Sequence, residues 1–380
     1  LIESFAYLNA RIHHKLDDDF PELSEGLLQV VFPHYQRHIP SMSIVNFSAD
    51  KEQLESSYKI ASKTLVETEQ YQGETCKFST VYPVTLLPIE VISVKVMGRP
   101  FATPGANLAR GSNTVVHIKL KTFSDSIDIK TLDLSILRFY LKGQSQHIYP
   151  LYEALFNEIN TLVLTADESD LQPTVCPIDA IKTVGFQEDE GIIPYPVNSH
   201  MGYRLLTEYF IFPEKFLFID FVSLNAYIPD SASNEINLYV YLEKEHLELE
   251  HHISKENWIL GCSPVVNLFE HKVDPIKVDL TQDQYQVIPD VRRPHGFEVY
   301  NVTSVQALCS NGEKFVIPPL YGLTHENLNK QIQSFWQPHV KSSSLHNSIR
   351  DEATHTFLRI VDRNLNQYAL SAKTLLIEAM

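Results

Sequence analysis

The sequence predicts an α+β, β-rich fold: several small β-domains behind an N-terminal helical element. Three observations carry this. Short β-branched and aromatic runs recur along the chain, among them MSIVNF, IEVISVKVM, TVVHIKLKTF, SILRFYLKG, EINLYVYL, FEVYNVTSV and THTFLRIVD, the first of them punctuated by Gly, Pro and Ser. Tyr and Phe number 18 and 20 in 380 residues, and such rings suit a pleated, half-buried surface. Helical spacing is confined to a few segments that do not alternate with strands, which disfavours a βαβ chain.

The elements follow in order. Leu1, Phe5, Leu8 and Ile12 are spaced four, three and four apart, giving one apolar seam on a helix over residues 1–16, broadened by Ile2 and Ala6. Asp17, Asp18 and Asp19 ahead of Pro21 mark the start of a second helix, from about Glu22 to Phe32, because acidic groups favour the positive end of a helix. Strands then run from Met42, interrupted by RPFATPGANLARGSN, which has the turn residues of a long loop. Residues 146–159 return to helical spacing, with Leu151, Leu155 and Ile159 on one side and Pro150 near the first turn.

A loop over 166–200 leads into YRLLTEYFIFPEKFLFIDF, residues 203–221. Asn198 or Ser199 caps a helix from His200, with Leu205, Leu206, Tyr209 and Phe210 on one face. Pro213 ends it, and Lys215 to Phe221 forms a strand apolar on both faces apart from Lys215 and Asp220, hence buried. Most of its rings are expected in the core, and Glu214 and Lys215 are expected to face solvent or another subunit. The polar stretch QPHVKSSSLHNSIR reads as a flexible loop or linker. The resulting division is a helical segment over 1–40, a first β-rich domain with one helix over 41–199, a second opening with a helix-turn-strand over 200–336, the linker over 337–350, and the start of a further β-rich region over 351–380. A helical pattern is under way at Leu1 and a regular pattern is still running at Met380, so both ends are expected to be cut from a longer protein.

Charge and cysteine usage bound the function. The 31 Lys and Arg against 47 Asp and Glu give a net charge of −16, which repels phosphate backbones and anionic lipid, so no nucleic-acid partner is expected. Glu208, Glu214, Lys215 and Asp220 break the most apolar stretch before it reaches spanning length, so an integral membrane protein is not expected. Cys76, Cys176, Cys262 and Cys309 are far apart, with no Cys-x-x-Cys pair, as expected of reduced, mostly buried thiols in a cytoplasmic protein.

Reaction motifs are missing. The sequence has no His-Glu-x-x-His, Gly-x-Ser-x-Gly, phosphate-binding Gly-Lys-Ser/Thr loop or dinucleotide Gly-x-Gly-x-x-Gly, and no catalytic, cofactor-binding or metal residue is assigned. His246, His251 and His252 in EKEHLELEHHISKE come nearest to a metal set, but their spacing fits no standard site and a solvated charged edge is preferred. Asp220 interrupts an apolar strand; a catalytic carboxylate is weighed against a structural one bonded to backbone or an arginine, with Arg204 the local candidate. Arg292 and Arg293 suit either an interface or ion pairs to acids such as Asp290. The aromatics and carboxylates also admit a β-rich carbohydrate-active enzyme or lectin-like binder. Exposure of Tyr203, Tyr209, Phe212, Phe216 and Phe218 as an open trough would favour that alternative.

Six stretches together resemble one family. DDDFPELSEGLLQVVFPHYQRHIPSMSIVNF, FSTVYPVTLLPIEV, VGFQEDEGIIPYP, GYRLLTEYFIFPEKFLFIDF, SPVVNLFEHKVDPIKVD and YQVIPDVRRPHGFEVYNV are similar, in order, to motifs of the TssF (ImpG/VasA) family of type VI secretion baseplate subunits. The resemblance runs from about Leu1 to about Tyr321. It implies a structural role with no catalysis and no cofactor. It also implies assembly with TssG, two TssF copies per TssG, into wedges that take up TssE and TssK. Those wedges surround the spike beneath a contractile sheath and tube, in the cytoplasm and docked to the inner-membrane secretion complex. The candidate partner contacts are Leu1, Phe5, Leu8 and Ile12, with Glu214, Lys215, Arg292 and Arg293. The helical seam packs either in a bundle with partner helices or intramolecularly, and both readings stay open.

Overall fold

The computed structural model describes residues 2–16, 26–28, 31–70, 73, 75–170, 172–195, 199–278, 282–293, 296–309, 312–320, 334–342, 354–361 and 372–380. Leu1, Asn198 and most of the second helix expected over 22–32 lie outside them. The helices used below are α1 (Ile2–Leu16), α2 (Ser145–Asn157), α3 (Met201–Ile211) and α4 (Leu247–His252).

A central antiparallel sheet has the strand order Thr174–Cys176, Ile159–Thr165, Glu235–Leu242, Thr114–Thr122, Ile89–Gly98. Its middle strand, EINLYVYL, is buried on both faces. Ile236, Leu238, Val240 and Leu242 point into the main core, while Tyr239 and Tyr241 pack on the other side with Val115, Val163 and Ala109. The loop after Gly98 folds over that second face: Tyr241 donates to the Pro104 carbonyl at 2.6 Å. Gly105, at φ +84, approaches so closely that a Cβ would sit 2.9 Å from Val163 Cγ2, so only glycine fits there.

A four-stranded sheet, in the order Ile181–Thr183, Phe218–Val222, Ile136–Leu141, Trp258–Leu260, contributes Phe139, Leu141, Ile219, Phe221 and Trp258 to the same core. α2 closes it with Ile148, Leu151, Ala154 and Leu155. Pro150 lies in the second turn of α2 rather than the first. A further sheet pairs Met42–Asn46 with Cys262–Val266, then Lys77–Thr80 and Leu65–Glu67.

The C-terminal strands build a second core of their own. Ala372–Ala379 runs beside Val302–Cys309, and Thr354–Val361 pairs with Phe335–Ser342, enclosing Val305, Ala307, Trp336, Leu358, Leu375 and Ile377. Tyr300 and Met380 instead pack against the main core, and Met380 exchanges backbone hydrogen bonds with Asn301 at 2.8 and 3.3 Å.

Two expectations need correction. The division at 199/200 does not separate sheets: Glu235–Leu242 lies between strands from 114–122 and 159–165, and Phe218–Val222 lies beside Ile136–Leu141. Antiparallel pairing joins distant segments, and composition carries no trace of it. Gln337–Ser342, read as linker, is most of a strand. It is polar and carries Pro338 because it is an edge strand, where a missing N–H costs no ladder bond. Residues 343–350 lie outside the described residues.

Candidate functional site

α3 and the turn after it account for most of the polar groups that the fold buries locally. The helix begins at His200, whose Nδ1 accepts the Gly202 N–H at 3.0 Å, the capping role expected of Asn198 or Ser199. A 3-10 turn, Pro213–Phe216, then leads into the buried strand Phe218–Val222. The side chains α3 turns inward are Arg204 and Glu208. Glu208 Oε1 accepts the N–H groups of Ile192 and Ile193 at 2.8 and 3.2 Å, and its other oxygen pairs with the Lys215 ammonium. Lys215 is fully buried and also donates to the Gly185 carbonyl at 3.0 Å. Burial pushes its pKa down, and the Glu208 charge acts against that. Arg204 donates to the carbonyls of Glu188 at 2.7 Å and Gln187 at 2.5 Å. Glu190 closes the clasp by accepting the N–H groups of Gly185 and Gln187 at 2.7 and 3.0 Å.

The clasp sets the orientation of the helix, and the orientation is the reverse of the expected one. With Arg204 and Glu208 inward, Leu206, Tyr209 and Phe210 of the expected apolar face turn to solvent beside Tyr203, while Leu205 is half-buried; Phe210 is 80% exposed and Leu206 58%. Apolar periodicity alone places those rings in the core. The polar stripe wins because each of its members has partners there and would lose them on rotation. Lys215, offered as a partner contact, is therefore excluded from the surface, while Glu214 beside it is exposed. The ring test also divides. Phe216 and Phe218 are core, Phe212 is half-buried, and only Tyr203 and Tyr209 are open, so these five do not form a trough.

Beside α3 runs an apolar groove of ≈ 520 Å³, lined among others by Phe32, His34, Tyr195, Ile211 and Tyr300, with Tyr203 at its edge. Phe32 meets Tyr203 edge-on at 5.0 Å, and His34 Nε2 lies 2.8 Å from the Tyr195 hydroxyl. Burial, and then the Arg37 charge, hold the His34 pKa below its ordinary value.

The remaining candidates separate cleanly. On α1, Phe5, Leu8 and Ile12 are all exposed, Phe5 to 72%, so the seam is not buried within this chain. Arg293 bonds Asp290 at 3.1 Å and lies 4.8 Å from the centre of the Phe297 ring, the local pairing weighed for it, whereas Arg292 is exposed. Asp220 is held by Arg138 through two 2.7 Å bonds, not by Arg204. The two are directly opposite on paired strands, a register invisible in the sequence. His246 Nε2 pairs with Glu158 at 2.7 Å, together with Lys244. Burial pushes the Glu158 carboxyl up, but these hydrogen bonds outweigh it and hold its pKa low. His252 stacks on His147 at 4.0 Å, and among the described residues no group of three metal-ligating side chains is brought together. The four cysteines are free; Cys176 and Cys262 are buried, Cys309 is half-buried and Cys76 is exposed. No helix among the described residues is long and apolar enough to cross a membrane. Sequence reasoning named Arg204, Glu208 and Lys215 but missed that they are buried together; their signal was charge inside an otherwise apolar run.

A β-rich body bearing two helices with apolar faces turned to solvent has the form of an assembly subunit. The family model described as "Type VI secretion system, TssF" matches residues 1–380, and the chain belongs to that family. It is 29% identical over 392 residues to "Type VI secretion system component TssF1" of Pseudomonas aeruginosa PAO1, a match covering all of this chain and 63% of that protein. The chain thus spans just under two thirds of the length of its curated relative. Among solved structures it is similar in fold to a chain of the type VI secretion system TssK-TssF-TssG baseplate subcomplex, with a TM-score of 0.75 and 23% identity, covering 100% of this chain and 67% of that one. The family assignment gives the carbohydrate reading no support.

Proposed function

We propose that the protein is a structural subunit of the type VI secretion baseplate and acts by assembly rather than catalysis. The observation that carries this is the family match along the entire chain. The fold shared with a chain of the TssK-TssF-TssG subcomplex supports it. On this reading two copies join one TssG-like subunit in a wedge, TssK and TssE attach to that wedge, and wedges ring the spike in the cytoplasm beneath the sheath and tube, docked to the inner-membrane complex. Leu1, Phe5, Leu8 and Ile12 pack with partner helices, since on α1 the described members of this seam are unburied and burying each offers about 1.5–3 kcal/mol. Glu214, Arg292 and Arg293 supply polar contacts at other edges. Co-expression of the full-length protein with its TssG-like partner, followed by affinity purification and mass measurement, tests this. A stable complex with two copies per TssG is expected; a full-length protein that stays monomeric beside TssG overturns it.

A further inference from the structure

We propose that the outer face of α3, with the groove beside it, is a docking surface for an amphipathic helix of another protein, one whose apolar face is flanked by Lys or Arg. The proposal stands on the geometry of α3 and is independent of the baseplate reading and of the α1 seam.

The first argument is that the exposure is enforced. Arg204, Glu208 and Lys215 have their partners inside, so α3 cannot roll its rings into the core without stranding buried charge. A contiguous apolar surface held outward in this way marks an interaction site. The exposed Phe186 borders it, since Phe186 and Tyr209 both pack on the buried Phe216 ring.

The second is shape. Tyr203, Leu206 and Phe210 are three and four residues apart and form one ridge about 10 Å long at 1.5 Å per residue. The ≈ 520 Å³ groove lies alongside, so a second helix has a ridge to straddle and a slot to fill. The third is charge. Glu188 and Asp189, in the turn that follows Phe186, and Glu214, in the turn that ends α3, are exposed and form no ion pair among the described residues. Of the cations near it, Arg204 and Lys215 are buried, and Arg37, which also lines the groove, is half-buried against the Tyr300 ring. The margin is therefore acidic, and a partner with basic flanks completes it.

The same facts weigh against a second copy of this chain. At roughly 150–250 Å² per aromatic ring, the exposed parts of Tyr203, Tyr209 and Phe210 with Leu206 present on the order of 400–500 Å², against about 800 Å² per partner in a standard interface. A second copy would also bring the same acidic margin, with Arg204 and Lys215 already turned inward.

The test uses the full-length protein and two synthetic amphipathic helical peptides that share a Leu face, one flanked by Lys and the other by Glu. Fluorescence anisotropy is expected to show the Lys peptide binding about tenfold or more tightly than the Glu peptide. Leu206→Asp with Phe210→Asp should abolish binding while circular dichroism and the unfolding temperature stay unchanged, since both side chains are exposed. Glu188→Lys with Glu214→Lys should reverse the preference toward the Glu peptide. Equal binding of the two peptides, binding of neither, or binding that survives in the Asp double variant overturns the proposal. So does a wild-type dimer in sedimentation that the Asp double variant dissolves, because the occupant is then a second copy.

Discussion

Lys215 is wholly enclosed, so its ammonium must find every partner within the protein: Glu208, the Gly185 carbonyl and the face of the Phe216 ring. Replacing it by Met leaves Glu208 buried without its counter-charge. Lys215→Met is expected to cost about 3–5 kcal/mol, read as a fall in the urea midpoint, while Glu214→Gln one position earlier stays within about 0.5 kcal/mol of wild type. His117 makes a second prediction at this scale. It is buried in the central sheet, stacked at 4.4 Å on Tyr239 and 2.8 Å from Asn237 Oδ1. Burial lowers its pKa below the ordinary 6.5 despite the Asn237 bond, so the unfolded chain takes up the proton first as pH falls. This residue's effect on stability is therefore level above pH 7 and becomes destabilising as pH drops through 6.5. Thermal melts should show that loss in the wild type and a flatter acid limb in His117→Gln. Legibility at this scale depended on whether a partner was local. The Arg293 to Asp290 pairing lies three residues apart and was anticipated, whereas the Asp220 to Arg138 pair needed a strand register.

At the scale of elements, strands were easier to read than the orientation of helices. EINLYVYL and TVVHIKLKTF announced themselves through β-branched and aromatic content. α3 was found but placed backwards, because a hydrophobic stripe reports which side is apolar and not whether the polar side has partners waiting. Those partners are backbone groups of the Gly185–Ile193 loop, whose shape needs Gly185 at φ +104. A Cβ there would lie 3.0 Å from the Tyr82 hydroxyl and 3.1 Å from the Phe216 ring. Gly185→Ala is expected to lose about 1–3 kcal/mol through backbone strain and crowding, measured by chemical denaturation. α1 is the opposite case, a seam that was legible and is exposed. Phe5→Asp with Leu8→Asp should leave the melting temperature unchanged yet weaken co-purification with the TssG-like partner.

At the scale of the whole molecule, two apolar cores matter more than the five segments drawn from composition. The first gathers residues from Val81 to Leu268 and reaches Tyr300; the second gathers Val273 to Ala379. Scanning calorimetry is expected to resolve two transitions, with Tyr300→Ala widening their separation by loosening the junction. Hydrogen exchange should be slowest at Val116, Ile118, Leu238 and Val240, in the middle strands of the central sheet. Family membership was legible because whole motifs persist in order. The boundary at 199/200 was not, because strands that are neighbours in the sheet need not be neighbours in the chain.

Strand order also dictates the timing of synthesis. Met42–Asn46 hydrogen-bonds to Cys262–Val266, more than two hundred residues downstream. At about 5–20 residues per second, that first strand leaves the ribosome roughly 10–40 s before its partner exists. Throughout that interval MSIVN is an unpaired edge, open to pairing with another nascent chain. Slower translation over the intervening segment is therefore expected to lengthen that exposure and lower the soluble yield, before any subunit is available to meet the protein.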